Sequence, residues 1–174
     1  MTIPMPLLPH ELDAEALYAD LEQQLVAALG STEHLALAGI YSGGAWLAER
    51  LAKALKIEDR LGFIDVSFYR DDVAEKGLHA ALKPSQIGFE VEGATILLVD
   101  DVLYTGRTTR AAINELFDYG RPARILLATL IDRGGRELPV APDFVGATVT
   151  LAPDQILTLQ QGADGALSLT VNHA

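Results

Sequence analysis

Cysteine is absent from these 174 residues, which excludes disulfides, thiolate metal centres and a cysteine nucleophile while leaving oxygen ligands for a hard ion such as Mg²⁺. Basic residues are scarce: 13 Lys and Arg stand against 24 Asp and Glu, a formal net charge of −11. Affinity for a nucleic-acid backbone comes from Lys and Arg, so such a surface repels a polyanion on average. No apolar run approaches the ~20 residues of a membrane span, and the start MTIPMPLLPHELDAE has neither a basic lead nor a long apolar block. The expectation is a cytoplasmic protein with no membrane span or export signal. Length and a hydrophobic content of 49% predict one well-filled domain over residues 1–174.

What is present alternates between two periods. Leu17, Leu21, Leu25 and Leu29 recur at helical spacing behind Asp13, a suitable N-cap, so an amphipathic helix with an acidic outer side runs to Leu29. LALAGIY (Leu35 to Tyr41) reads as a buried strand, Ser42-Gly43-Gly44 as a glycine loop, and Ala45 to Leu55 as a helix. FIDVSFY (Phe63 to Tyr69) alternates as a strand should, and Val73 to Glu92 lacks any period, the mark of a long connection. TILLV is a further buried strand, Thr109 to Tyr119 a helix closed by Gly120, and RILLATLI (Arg124 to Ile131) another strand. Beyond Phe144 only short strands and turns follow, with a hairpin of ILTLQ and ALSLTV around QGADG. Strands alternating with helices imply an α/β fold with a central, mainly parallel sheet. Its ligand crevice lies where loops leave the strands' carboxyl ends: Ser42-Gly43-Gly44, Asp100 to Thr108, and Asp132 to Pro139. Arg107, Arg110, Arg121, Arg124, Arg133 and Arg136 cluster in this part of the chain, where a small anion could sit despite the net charge.

The stretch Ile96-Leu97-Leu98-Val99-Asp100-Asp101-Val102-Leu103-Tyr104-Thr105-Gly106-Arg107-Thr108 carries the chemistry. Thr105 to Thr109 open a helix, so unpaired N–H groups, hydroxyls and the positive dipole end favour a phosphate, with Gly106 allowing close approach. Asp100 and Asp101 offer acceptor-only carboxylates suited to the vicinal hydroxyls of a ribose and able to attract a divalent ion. A sugar phosphate satisfies both halves. Strand-end acids and a capped helix could each be merely structural, but the nine residues from Asp100 to Thr108 together argue otherwise. A receiver domain does not fit, because too little chain follows Asp101, and no G-x-x-x-x-G-K-[ST] sequence occurs.

The apolar strand, acid pair and T-G-R-T resemble the PRPP-binding motif of type I phosphoribosyltransferases. YRDD (Tyr69 to Asp72), VDDVLYTGRT (Val99 to Thr108), FDYGRPA (Phe117 to Ala123) and DRGGRELP (Asp132 to Pro139) further resemble the PyrR family, over about Leu12 to Val149. The resemblance implies a type I phosphoribosyltransferase fold with a small β-rich hood and a flexible loop. It implies transfer of phosphoribose from PRPP, accompanied by Mg²⁺, to uracil, giving UMP and pyrophosphate. In that reading Asp100 and Asp101 hold the ribose hydroxyls and Thr105 to Thr108 its phosphate. Ser42, Gly43, Gly44 and Arg70 serve the pyrophosphate, and Arg133 the pyrophosphate or the base. Mg²⁺ travels with PRPP near Asp100 and Asp101 without direct protein ligands. Tyr104 stands where purine-specific members carry an acid; it cannot act as a base near neutral pH, which favours uracil. Tyr104 could equally just pack. Backbone groups of Gly146 to Thr150, Val149 among them, are the candidates for reading the base.

Two departures bear on function. Ser42-Gly43-Gly44 replaces the T-R-G of well-studied PyrR members, removing a guanidinium that could face pyrophosphate; Lys83 and His79 could compensate by closing over PRPP, although His79 alone reads as a solvated loop residue. Arg70 could pair with Asp71 or Asp72 instead. The first helix has no Lys or Arg and carries Asp13, Glu15, Asp20 and Glu22, which argues against binding an mRNA. The alternative to an enzyme is a UMP-sensing or RNA-binding attenuation regulator that kept the fold. Homo-oligomerisation, as in relatives, would use apolar residues around Trp46 and Phe68.

Overall fold

The computed structural model describes residues 5–67 and 85–174. Arg70, His79, Lys83, Phe68 and the YRDD segment lie outside them. Five strands form one parallel sheet: β1 (Leu35–Ile40), β2 (Leu61–Ile64), β3 (Thr95–Leu103), β4 (Arg124–Asp132) and β5 (Phe144–Thr148), in the order β2-β1-β3-β4-β5. A second sheet is the antiparallel hairpin β6 (Gln155–Gln161) with β7 (Leu167–His173). The helices are α1 (Ala14–Leu29), α2 (Gly43–Leu55) and α3 (Arg107–Phe117).

The central strands are apolar at nearly every position because both sheet faces are covered. Side chains of a strand alternate, so Leu37, Leu97, Val99 and Ala128 join the cluster under α1, α2 and the hairpin, built around Leu21, Leu25, Leu47 and Leu51. Ala38, Ile96, Leu98 and Leu127 join the opposite cluster with Ala112 and Leu116 of α3. Asp13 caps α1 as its position predicts, its carboxylate accepting from the Ala16 N–H at 3.1 Å. The hairpin is fastened to both helices by one side-chain pair. Arg50 makes two bonds to Glu15, at 2.8 and 3.0 Å, and a third to the Gly165 carbonyl, while Glu15 also accepts from the Leu167 N–H. These bonds, Arg50 first, hold the Glu15 carboxyl down to about 2.

Several boundaries differ from the sequence expectation. β3 does not stop at the acid pair but runs through it to Leu103, because β4 is equally long and keeps pairing as far as Leu103 with Asp132. α2 begins at Gly43, so two of the three loop residues form its first turn. β2 spans Leu61–Ile64 rather than starting at Phe63 and running on, since its neighbour β1 ends at Ile40 opposite Ile64. Among the described residues no helix is long and apolar enough to cross a membrane. Trp46, expected near an interface, is half-buried and packs on the α1–α2 core.

Candidate active site

Strand order reverses direction between β1 and β3, and in an open parallel sheet the crevice beyond that switch point is where ligands bind. The three loops picked from the sequence leave β1, β3 and β4, which are adjacent in the sheet.

The first loop is shaped by contact with β3. Ser42 is exposed and Gly43 and Gly44 are buried. A Cβ on Gly43 would collide with the Asp101 carboxylate, and one on Gly44 with the Val99 carbonyl. Only glycine lets α2 start this close to the acid pair, and the first turn of a helix presents N–H groups with no intrahelical partner. Tyr41, just before it, stays protonated: burial raises its pKa, and the nearby Glu49 and Asp65 add to the effect.

The second loop holds the acids and the Thr/Gly turn. Asp100 is buried, with 6% of its surface exposed, and its Oδ1 accepts from the Asp101 N–H at 2.9 Å. Asp101 is half-buried and its Oδ1 accepts from the Val102 N–H at 2.8 Å. Thr129 of β4 supports the pair from behind, its hydroxyl lying 3.2 Å from the Asp101 carbonyl and 3.0 Å from that of Ile131. Gly106 then takes φ of +93° as the N-cap of α3, and Thr105 Oγ1 accepts from the Arg107 N–H at 3.2 Å. α3 therefore starts at Arg107, not Thr109, and points its positive end at the turn. A small cleft, partly open to solvent, is lined by Asp100, Tyr104, Gly106, Thr108 and Thr109. On its wall the Thr109 hydroxyl is buried without a hydrogen-bond partner among the described residues.

The third loop wraps the second. The Leu103 carbonyl accepts from the Arg133 N–H at 3.0 Å, and the Thr105 carbonyl from the N–H groups of Glu137 and Leu138 at 3.0 and 3.1 Å. Arg107, at the mouth, pairs with Glu137 at 2.7 Å. The Arg133 guanidinium lies 4.0 Å over the Tyr104 ring and donates to the Gln155 carbonyl at 3.0 Å, while Gly135 packs so tightly on that ring that a Cβ would collide with it. Arg133 thus links the loop to the hairpin.

The structure brings Asp100, Asp101, Thr105 to Thr108, Gly43, Gly44, Tyr104 and Arg133 to this rim. Val149 lies beside the start of the third loop, its N–H donating to the Asp132 carbonyl at 3.0 Å, with its side chain in the core at 1% exposure and Leu7 bridged to it on the other side. Thr129 and Arg136 were not singled out from the sequence for the roles they take. A lone hydroxyl in the otherwise apolar RILLATLI was the available signal for Thr129.

Comparison with known proteins agrees with this geometry. Residues 10–158 match the family described as "Phosphoribosyl transferase domain". "Bifunctional protein PyrR" of Ralstonia nicotianae is 54% identical over 159 residues, 90% of this chain and 91% of that protein. The protein of the same name from Pseudomonas aeruginosa is 46% identical over 173 residues, covering 98% and 97%. Among solved structures, a hypoxanthine phosphoribosyltransferase from Staphylococcus aureus superposes with a TM-score of 0.62 at 22% identity, covering 84% of this chain and 79% of that one, which shows the shared fold. The chain belongs to the phosphoribosyltransferase family and, within it, to the PyrR proteins.

Proposed function

We propose that this chain transfers the phosphoribosyl group of PRPP to uracil, forming UMP and releasing pyrophosphate. The observation that carries the reading is the Thr105–Thr108 turn at the start of α3, set directly beyond the Asp100-Asp101 pair at the β1/β3 switch. Hydroxyls and helix N–H groups take the sugar's phosphate, and the carboxylates take its 2′ and 3′ hydroxyls. N–H groups of Gly43 and Gly44 stand across from the acids and receive the pyrophosphate.

Departure of pyrophosphate leaves positive charge on the sugar ring. The chain's task is to hold the two reactants in line, to neutralise the leaving group with donors and to keep water out. Asp101, on β3 and packed against the Gly43 turn, fixes the sugar relative to the leaving group. Two adjacent carboxylates suit an ion that keeps most of its water and arrives on substrate phosphates, as Mg²⁺ does; bound there, Mg²⁺ would offset the charge of the pyrophosphate.

Tyr104 and the Val149 carbonyl are the proposed base contacts, and Arg133 orders the Tyr104 ring. Uracil, like a purine, loses a ring proton as the glycosidic bond forms, and that proton passes to solvent or to the departing pyrophosphate, so the choice of uracil rests on the similarity to the PyrR proteins. The protein is proposed to act in the cytoplasm as a homo-oligomer. The test is pyrophosphate release from PRPP and Mg²⁺ with uracil, orotate, cytosine, hypoxanthine or adenine offered separately. Turnover with uracil alone is expected, and turnover with a purine alone overturns the assignment. The described residues of α1 carry acids and no Lys or Arg, so mRNA binding is expected to be weak. Tight, salt-sensitive binding of one RNA stem-loop at low salt would contradict that.

A further inference from the structure

An anion cradle made of backbone has an electrostatic problem: each N–H that attracts the phosphate is accompanied by a carbonyl that repels it. Here three consecutive carbonyls at the cradle's entry all turn onto the 132–138 segment. Leu103 O accepts from the Arg133 N–H, Tyr104 O from Arg136 Nη1 at 2.9 Å, and Thr105 O from the N–H groups of Glu137 and Leu138. Three of these four donors are backbone, which almost any residue supplies. Arg136 donates through its side chain.

We propose that Arg136 is a positioning residue for phosphate binding, holding the Tyr104 carbonyl away from the cradle so that N–H groups and hydroxyls face the anion. This rests on the reading that Thr105 to Thr108 hold the sugar's phosphate. The guanidinium is fixed for the task on two other edges. Its Nε donates to the Val140 carbonyl at 2.8 Å and its Nη2 to Asp132 Oδ2 at 2.7 Å, while Asp132 Oδ1 is itself held by the Gly134 N–H at 2.9 Å. With side-chain exposures of 23% and 17%, Arg136 and Asp132 have little freedom to swing away. Three acceptors in different directions match the planar fork of arginine; a lysine ammonium offers one compact charge and cannot span them. Loss of a charge-assisted bond of this kind should appear as roughly a tenfold or larger drop in affinity for the phosphate end.

The test compares R136Q, R136K and, as a check on the site itself, T108V. UMP titration and the separate KM values for PRPP and uracil are measured, with melting curves confirming that each variant is folded. R136Q is expected to weaken UMP and raise KM for PRPP by ~10-fold or more, with KM for uracil within about twofold and kcat less affected. R136K, which restores charge without the fork, should recover only part of the loss. The proposal is overturned if folded R136Q keeps wild-type UMP affinity, if the uracil and PRPP constants rise together, or if R136K binds UMP as wild type does. Should R136Q fail to fold, R136K decides alone: a raised KM for PRPP with KM for uracil unmoved supports the proposal, and any other result sinks it. T108V separates the two levels. If it leaves UMP affinity unchanged, the cradle reading fails; if it weakens UMP while the Arg136 variants do not, only the role of Arg136 fails.

Discussion

The two helix starts at the rim, at Gly43 and at Arg107, face the same crevice but are held in different ways. The first is held by closeness. Gly43 and Gly44 lie against the Asp101 side chain and the Val99 carbonyl with no room for a methyl group, so the turn follows the shape of β3. The second is held by hydrogen bonds, with carbonyls 103 to 105 drawn onto the neighbouring segment and one glycine at φ +93° making the bend. A packed turn fails when anything is added. A bonded turn fails when a donor is taken away. One rim therefore carries two helix starts whose supports are lost independently.

Gly44→Ala attacks the packed turn and should have the largest effect. Its Cβ meets backbone on the adjacent strand, with Asp100 Cα only 3.1 Å away, and such overpacking costs about 3 kcal/mol. Urea denaturation should show that drop together with lost turnover; a variant as stable as wild type would mean the turn is loose. Gly106→Ala attacks the bonded turn. The positive φ and Val140 at 3.1 Å resist a methyl group, and the left-handed conformation costs an alanine about 1–2 kcal/mol. The loss should come with a raised KM for PRPP and an unchanged KM for uracil.

Glu15→Gln touches neither turn and sharpens the contrast as a control. The pKa of Glu15 is depressed from 4.5 to about 2, so its contribution is present above pH 4.5 and is lost as pH falls toward 2. Because the pair with Arg50 is open to solvent, the contribution is about 1 kcal/mol. Melting curves of wild type should converge on those of the variant across that window while KM values stay alike; a constant gap down to pH 2 would show that the ion pair is not the cause. Thr109→Val should have the smallest effect, and in the opposite direction. Replacing a buried, unpartnered hydroxyl by a methyl group of similar shape leaves stability unchanged or raises it by up to about 1 kcal/mol. A clear fall in melting temperature would show that the hydroxyl has a partner, such as bound water.

The contrast also explains what could be read from the chain. The alternation of buried strands and amphipathic helices follows from local periods, and the three loops at the rim follow from topology. The acid pair and Thr/Gly turn are contiguous, so the sequence displays them side by side. What it conceals depends on residues far apart. β3 passes through Asp100 and Asp101 because of the length of β4. Arg133 lies on Tyr104, and Val149 is bridged to Leu7, far from it in the chain. Arg136 looked like one of several clustered arginines, and only the fold gives it three acceptors.

The clasp between Glu15, Arg50 and the hairpin joins positions 115 and 152 residues apart. During synthesis both helices leave the ribosome long before Gly165 and Leu167 do. Closure of this buckle is consequently a late event, and a nascent chain halted before it has its Thr/Gly turn in hand but the far side of its core still wet.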